Sequence, residues 1–234
     1  GQAQGLSESV VRFLRDTPVA AQIHNFADTF QAEGNGKLDL TLDLNLVKLS
    51  DIKLQGKYTF INNRLTLLPT APALTAVNGS IGFTESSMNS NDLQSLWSGE
   101  PLALRIATDA QGTKIEASGR ASIADLRQFY ELPLFDQISG RAQWQARVTV
   151  AGGQTDLSVT SDLRGVTSSL PEPFNKSAST ALPLSVTKQT VSGGRRPAPG
   201  IDQLWRVSLG NALAGTLGMN SRGQPVRGRV VLGS

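Results

Sequence analysis

Residues 38–46 read Leu-Asp-Leu-Thr-Leu-Asp-Leu-Asn-Leu, so a leucine stands at every second position and a polar residue stands at each position between. Successive side chains of a β-strand point to opposite faces, and this alternation therefore predicts a strand with one apolar and one polar face. The same period recurs at residues 52–60, 77–83, 102–106, 144–150, 182–186, 205–209 and 230–232. The sequence thus predicts a mainly β protein made of many one-sided strands.

The connections between these strands are short and carry turn residues, as at Asn62-Asn63, Gln111-Gly112 and Gly152-Gly153. Short connections favour neighbouring antiparallel strands, and we predict a meander of about ten to twelve of them. The apolar side of such a sheet must be covered. We expect a strongly curved antiparallel sheet that forms an apolar groove or a partly open barrel. The alternative is a closed sandwich whose core is filled by its own side chains.

We predict two parts of the chain, a helical N-terminal segment at residues 1–35 and a curved sheet domain at residues 36–234. Ser7 or Ser9 can cap a first helix, and apolar residues with helical spacing between 19 and 30 predict a second. Gly34-Asn35-Gly36 is expected to end that second helix.

Two further features lie inside the sheet domain. A short helix is predicted near residues 123–130, before Pro133. Residues 192–200 are rich in glycine and proline and hold Arg195 and Arg196, and we predict a mobile loop there. The two arginines could meet phosphate groups at the rim of a groove.

Composition excludes several classes of protein. The hydrophobic content of the 234 residues is 39% and the charged content is 18%, as in ordinary folded chains. No apolar run approaches the ~18–20 residues that a membrane-spanning helix needs. The net charge of +3 is small and scattered, which argues against a nucleic-acid partner. The start resembles neither a signal peptide nor an initiator methionine, and we expect an internal fragment of a longer protein.

The sequence contains none of the residue patterns that are typical of catalytic sites. The chain has no cysteine and a single histidine, His24, so neither a metal site nor a Ser–His nucleophile is predicted. The glycines at 193 and 194 lack the Lys-Ser/Thr sequence of a phosphate-binding loop. We expect no enzymatic activity, no cofactor and no bound metal.

Three stretches resemble elements of the YhdP family of AsmA-like proteins. Residues 56–67, Gly-Lys-Tyr-Thr-Phe-Ile-Asn-Asn-Arg-Leu-Thr-Leu, resemble a repeated element of that family, and residues 76–84 look like its continuation. Residues 161–166, Ser-Asp-Leu-Arg-Gly-Val, precede Leu170-Pro171-Glu172-Pro173-Phe174-Asn175-Lys176. This order is similar to the family signature S-D-L-x-G followed by L-P-x-P-[FL]-x-K. The resemblance covers roughly residues 36–190.

The resemblance implies a protein related in build to TamB, anchored in the inner membrane of a Gram-negative bacterium and extending across the periplasm. Such proteins form long β-sheet grooves with apolar linings, which are thought to carry phospholipid between the inner and outer membranes. They thereby support the outer-membrane barrier. The implied partners are phospholipid acyl chains and flanking β repeats of the full-length protein, and no catalytic residues are implied.

From the strand pattern we place the lipid-binding wall on the apolar side of the first strands. The predicted wall residues are Leu38, Leu40, Leu42, Leu44, Leu46, Ile52, Leu54, Tyr58, Phe60, Ile81 and Phe83. A rival hypothesis is a structural or interaction module that pairs edge to edge with its neighbours and binds no ligand. A filled apolar core favours the scaffold, and an open apolar trough favours the lipid conduit.

Overall fold

The computed structural model describes residues 1–16, 31–43, 53–66, 72–84, 86–152, 154–191 and 198–233. Within these ranges the helices are α1 (Ser7–Asp16), α2 (Ile123–Phe129) and a 3-10 turn at Pro133–Asp136. The strands are β1 (Gln2–Leu6), β2 (Gln31–Asp43), β3 (Lys53–Thr66), β4 (Leu74–Thr84), β5 (Met88–Trp97), β6 (Glu100–Asp109), β7 (Gly112–Ser122), β8 (Ile138–Ala151), β9 (Gln154–Ser161), β10 (Val166–Ser168), β11 (Leu184–Thr190), β12 (Gln203–Leu209), β13 (Leu213–Met219) and β14 (Pro225–Leu232).

The strands follow one another in hydrogen-bonded order from β1 to β9 and then from β11 to β14, while the short β10 pairs with β8. The pairing is antiparallel, for example from β2 through β6 and from β11 through β14. The predicted class, a mainly β antiparallel meander, is confirmed. The described residues hold fourteen strands, more than the predicted ten to twelve. The alternating ranges given above include none of β5, β7, β9 and β13. In β5, a register shift between Ser90 and Leu93 breaks the alternation.

The structure differs from the prediction at the two ends of the first 35 residues. Residues 2–6 form a strand that pairs with β2, and the helix begins only at Ser7. Gly34-Asn35-Gly36, predicted to end a helix, lies inside β2. A register shift between Glu33 and Asn35 accommodates the positive φ of Gly34, so the glycines serve a bulge rather than a helix end. The predicted second helix falls on residues that the structure does not describe.

The chain divides into two compact units. The first comprises Gly1–Ala117 and Val150–Gly153, and the second comprises Ser118–Thr149 and Gln154–Ser234. In the first unit, strands β2 to β6 bury one apolar face, to which Leu74, Val77, Leu93, Leu102 and Ile106 contribute. Helix α1 contacts β2 and adds the buried Val11. In the second unit, α2 confirms the helix predicted near residues 123–130.

Close packing of the first unit depends on Gly56 in β3. Gly56 is paired with Phe83 of β4, and a Cβ added at this glycine would collide with the Phe83 ring. Gly56→Ala should therefore lower the free energy of unfolding by about 2 kcal/mol, the usual cost of overpacking a filled core. Urea denaturation of the 234-residue chain measures the change.

Gly215 in β13 provides the matched control, since it is also a strand glycine without a positive φ. The nearest atom to an added Cβ there lies 3.8 Å away, which is an ordinary contact. We expect Gly215→Ala to be neutral or stabilising by up to about 1 kcal/mol. Equal effects of the two substitutions would contradict the packing argument.

Candidate functional site

The structure brings the described part of the predicted wall onto one face of the first unit. Leu38, Tyr58 and Ile81 are cross-strand partners in one row, and Leu40, Gly56 and Phe83 are partners in the next. Residues directly opposite each other in antiparallel strands share a face, so these side chains are neighbours. The backbone of Leu42 pairs with that of Leu54 in β3. The predicted wall residues Leu44, Leu46 and Ile52 lie outside the described residues.

This face is largely filled by its own side chains. Leu54, Tyr58, Phe60, Ile81 and Phe83 are each between 2% and 7% exposed. The Tyr58 and Phe60 rings meet edge to face with centroids 4.9 Å apart. Leu38 and Leu40 in β2 are half-buried, so they are the more accessible members of the predicted wall.

A buried polar cluster joins α1 to this face. The Ser7 and Tyr58 hydroxyl oxygens lie 2.5 Å apart, and the Asn63 amide donates to both the Ser7 hydroxyl and the Glu33 carbonyl. Burial raises the pKa of the Tyr58 phenol, and the hydrogen bond with Ser7 partly opposes that shift. Each polar group of the cluster has a partner, so the cluster holds the start of α1 against the sheet.

The second unit presents a different apolar face, on strands β11 to β14. Val186, Val207, Gly215 and Val230 are cross-strand partners in a row across the four strands. The neighbouring row on the same face consists of Leu184, Leu209, Leu213 and Leu232. Val207, Val230 and Leu232 are exposed, and Val230 reaches 67% exposure.

An open hollow of about 420 Å³ lies on this apolar face. Its lining includes Trp205, Val207, Leu217, Met219 and Val230. The opposite face of the same strands is polar and basic, with Thr187, Arg206, Thr216 and Arg229 around a hollow of about 540 Å³. In the second unit, β11 to β14 are therefore apolar on one side and carry polar and basic residues on the other. Their apolar side is exposed, whereas the apolar face described in the first unit is filled.

Sequence reasoning identified three of the four strands of this second apolar face, β11, β12 and β14, but assigned them no role in binding. Alternation at 205–209 and 230–232 was visible in the sequence, yet alternation alone does not tell an exposed apolar face from a filled one. Small residues are the sequence feature that could have indicated the hollow on this face. Gly215 and Gly228 lie where larger side chains would fill it.

The family signature residues form a separate structure in the second unit, residues 161–182, which we call the clasp. The Ser161 hydroxyl donates to the Gln143 carbonyl at 2.6 Å, and the Asp162 carboxylate accepts from the Arg164 amide at 3.0 Å. Gly165 has a φ of 90°, and a Cβ there would collide with the Arg141 carbonyl oxygen. The S-D-L-x-G sequence is thus a turn that needs its glycine.

Lys176, the last residue of the signature, lies inside the clasp and is 6% exposed. Its Nζ donates to the carbonyls of Leu163 at 2.9 Å, Ser177 at 3.1 Å and Val166. Burial lowers the pKa of the Lys176 ammonium, and the charge of Asp162 partly opposes that shift. The ammonium therefore satisfies three backbone acceptors and closes the clasp.

The described residues contain no group of three or more His, Asp or Glu side chains that could hold a metal ion. No helix among them is both long enough and apolar enough to cross a membrane. A meander of one-sided antiparallel strands with an exposed apolar face defines a β-sheet protein suited to contact with apolar ligands.

The family model described as YhdP protein matches residues 1–234, and the chain belongs to this family. This confirms the resemblance seen in the sequence. The chain is 25% identical over 193 residues to the intermembrane phospholipid transporter YhdP of Escherichia coli (strain K12). The match covers 78% of this chain and 15% of the relative, so the chain spans a small part of the relative's length. No solved structure matches the chain.

Proposed function

We propose that the chain is a non-enzymatic segment of a lipid conduit that moves phospholipid between the inner and outer membranes of a Gram-negative bacterium. Membership of the YhdP family and the relative named as an intermembrane phospholipid transporter support a lipid-transport role. The proposed place of action is the periplasm, within an inner-membrane-anchored protein with flanking β repeats that supports the outer-membrane barrier.

The observation that carries the proposal is the exposed apolar face of β11 to β14. A soluble sheet normally buries its apolar side, and exposing Val or Leu side chains forgoes about 1.5–3 kcal/mol each. Acyl chains lying on Val207, Val230 and Leu232 would recover part of that free energy. In the first unit, the proposed contacts with acyl chains are made by the half-buried Leu38 and Leu40, above the closely packed side chains of Tyr58 and Phe83.

A second candidate function applies to the first unit. Its apolar face is filled by its own side chains, with Leu54 at 2% and Phe83 at 3% exposure. This packing favours the scaffold hypothesis for that unit, in which the strands hold neighbouring parts of the sheet and bind no ligand. The two candidates differ in whether lipid contacts Leu38 and Leu40 or only the second unit.

Adjacent valines in β14 test the proposed function. Val230 lies on the apolar face and Val231 on the basic face, and both are exposed, at 67% and 46%. Val230→Glu should weaken phospholipid binding by more than about ten-fold, because a carboxylate would then face acyl chains. Val231→Glu places the same charge on the same strand and should leave binding within about two-fold.

Native mass spectrometry of the delipidated chain, titrated with dioleoylphosphatidylglycerol, measures both variants. Their thermal unfolding should match that of the parent because both positions are exposed. Equal affinities of the two variants, or no binding by the parent chain, would contradict the proposed acyl-contact face. Leu38→Glu and Leu40→Glu extend the test, since unchanged binding by both assigns the first unit to the scaffold function.

A further inference from the structure

The apolar face of the second unit has a polar end. Going from Leu184 towards Thr190 along β11, the face changes from the Leu184 and Val186 rows to a row that holds Lys188. Lys188 is the cross-strand partner of Leu157 in β9 and of Trp205 in β12, and Trp205 is the partner of Leu217 in β13. A cation and an indole therefore lie side by side at the end of the apolar rows, next to the polar pair of Thr190 and Gln203.

Both groups are hydrogen-bond donors that lack an acceptor. The Trp205 Nε1 atom is buried and has no hydrogen-bond partner. Within the described residues the side-chain ammonium of the half-buried Lys188 takes part in no hydrogen bond or ion pair. A buried donor without an acceptor costs about 1–3 kcal/mol, so a ligand that brings an oxygen acceptor to the Trp205 indole recovers part of that free energy. The half-buried Lys188 adds a positive charge beside the indole.

The distance between the polar row and the last apolar row of this face suits an amphipathic ligand. From Lys188 to Leu184 the strand advances four residues, which corresponds to about 13–14 Å at the usual rise per residue. The hollow lined by Trp205, Val207 and Leu217 lies beside the pair of donors, and the rows beyond it are aliphatic. Anionic oxygens at one end and hydrocarbon along the remainder describe a lipid with a phosphate-bearing head group.

We propose that Lys188 and Trp205 bind the phosphate group of a phospholipid whose acyl chains lie along the apolar face of β11 to β14. The ammonium of Lys188 supplies the charge, and a turn of the partly buried indole about its side-chain torsions brings Nε1–H to a phosphate or ester oxygen. This inference rests on the proposed function and adds the chemistry that orients the lipid. It predicts that the site prefers a lipid with a phosphate over a neutral lipid with the same chains.

The test compares dioleoylphosphatidylglycerol with dioleoylglycerol, which has the same acyl chains and no phosphate. Lys188→Gln should weaken binding of the phospholipid by about ten-fold, in line with a charge-assisted hydrogen bond, and should leave binding of the neutral lipid within about two-fold. Lys188→Arg should retain phospholipid binding. Trp205→Phe keeps the ring and removes the donor, and should weaken phospholipid binding by about three- to ten-fold.

Arg229→Gln on the opposite face is the charge-matched control and should change neither affinity. Inorganic phosphate at millimolar concentration should not displace the phospholipid. Equal losses for both lipids in Lys188→Gln, displacement by inorganic phosphate, or an equal effect of Arg229→Gln would each overturn the inference. Binding of both lipids by the parent, with no effect of Lys188→Gln or Trp205→Phe, overturns the inference alone. Binding of neither lipid by the parent overturns the proposed function as well.

Discussion

Replacing Lys176 by methionine should lower the free energy of unfolding of the second unit by about 3 kcal/mol. The Lys176 ammonium is buried and donates to the carbonyls of Leu163, Val166 and Ser177. Methionine fills a similar volume but removes three charge-assisted hydrogen bonds, each worth about 1.5–3 kcal/mol. The Leu163 and Ser177 carbonyls keep bonds from the Val166 and Thr180 amides, both at 3.2 Å, whereas the Val166 carbonyl loses the ammonium as its donor. The gain from no longer burying an ammonium offsets part of the sum.

Lys114 offers the matched control for this substitution. Its Nζ donates to the Asp109 carboxylate at 2.7 Å and to the Gln111 side chain at 3.1 Å, but the bonds are exposed and water can replace them. Lys114→Met should cost less than about 1 kcal/mol. Urea denaturation, with hydrogen exchange at the Val166 and Ser168 amides, measures both variants. Similar losses at the two lysines, or unchanged exchange in the clasp, would contradict the proposed role of Lys176.

In the clasp, the residues that the sequence identified only as a family signature have definite structural roles. Ser161 and Asp162 are short polar residues that accept from or donate to nearby backbone, and Gly165 is required by a positive φ. Lys176 donates to three backbone carbonyls of the clasp. The order of these residues identified the family. Their cooperation could not be predicted, since the ammonium and the carbonyls it binds are up to 13 residues apart.

Alternation predicted the strands in which it is regular and the two faces of each of them. Leu38 and Leu40 share a face because a period of two places them there, and the register between strands brings Tyr58 and Ile81 onto the same face. Whether that face is open depends on contacts between strands, which alternation does not encode. The Phe83 ring lies over Gly56, and the Tyr58 hydroxyl lies where Gly36 has no side chain. The space beside these two glycines is therefore filled by aromatic side chains.

The N-terminal residues were harder to interpret for a different reason. Gly34-Asn35-Gly36 suits a helix end as well as a bulge, and the choice is made by pairing with Phe60 and Ile61 of β3. Asn63 in that region reads as a turn residue in the sequence, although it is fully buried and bonds across the sheet. Tertiary contacts, rather than local propensity, decide both features.

Replacing Asn63 by alanine should lower the free energy of unfolding of the first unit by about 3 kcal/mol. The Asn63 side chain is 0% exposed, donates to the Ser7 hydroxyl and the Glu33 carbonyl, and accepts from the Ile61 amide at 2.8 Å. Alanine leaves the buried Ser7 hydroxyl and two part-buried backbone groups, the Glu33 carbonyl and the Ile61 amide, without this partner, and it opens a small cavity. The start of α1 should also become less protected, because Ser7 then keeps only its bond with Tyr58.

Asn78 is the matched control, because it has the same side chain and makes two local hydrogen bonds. Its Oδ1 accepts from the Asn62 amide at 2.9 Å and its Nδ2 donates to the Ala76 carbonyl at 2.8 Å, but the residue is exposed. Water can replace those bonds, and Asn78→Ala should cost less than about 1 kcal/mol. Urea denaturation gives the two free energies, and hydrogen exchange at the amides of α1 reports on the helix. If Asn63→Ala costs no more than Asn78→Ala and the exchange of α1 is unchanged, the buried cluster does not hold the helix to the sheet.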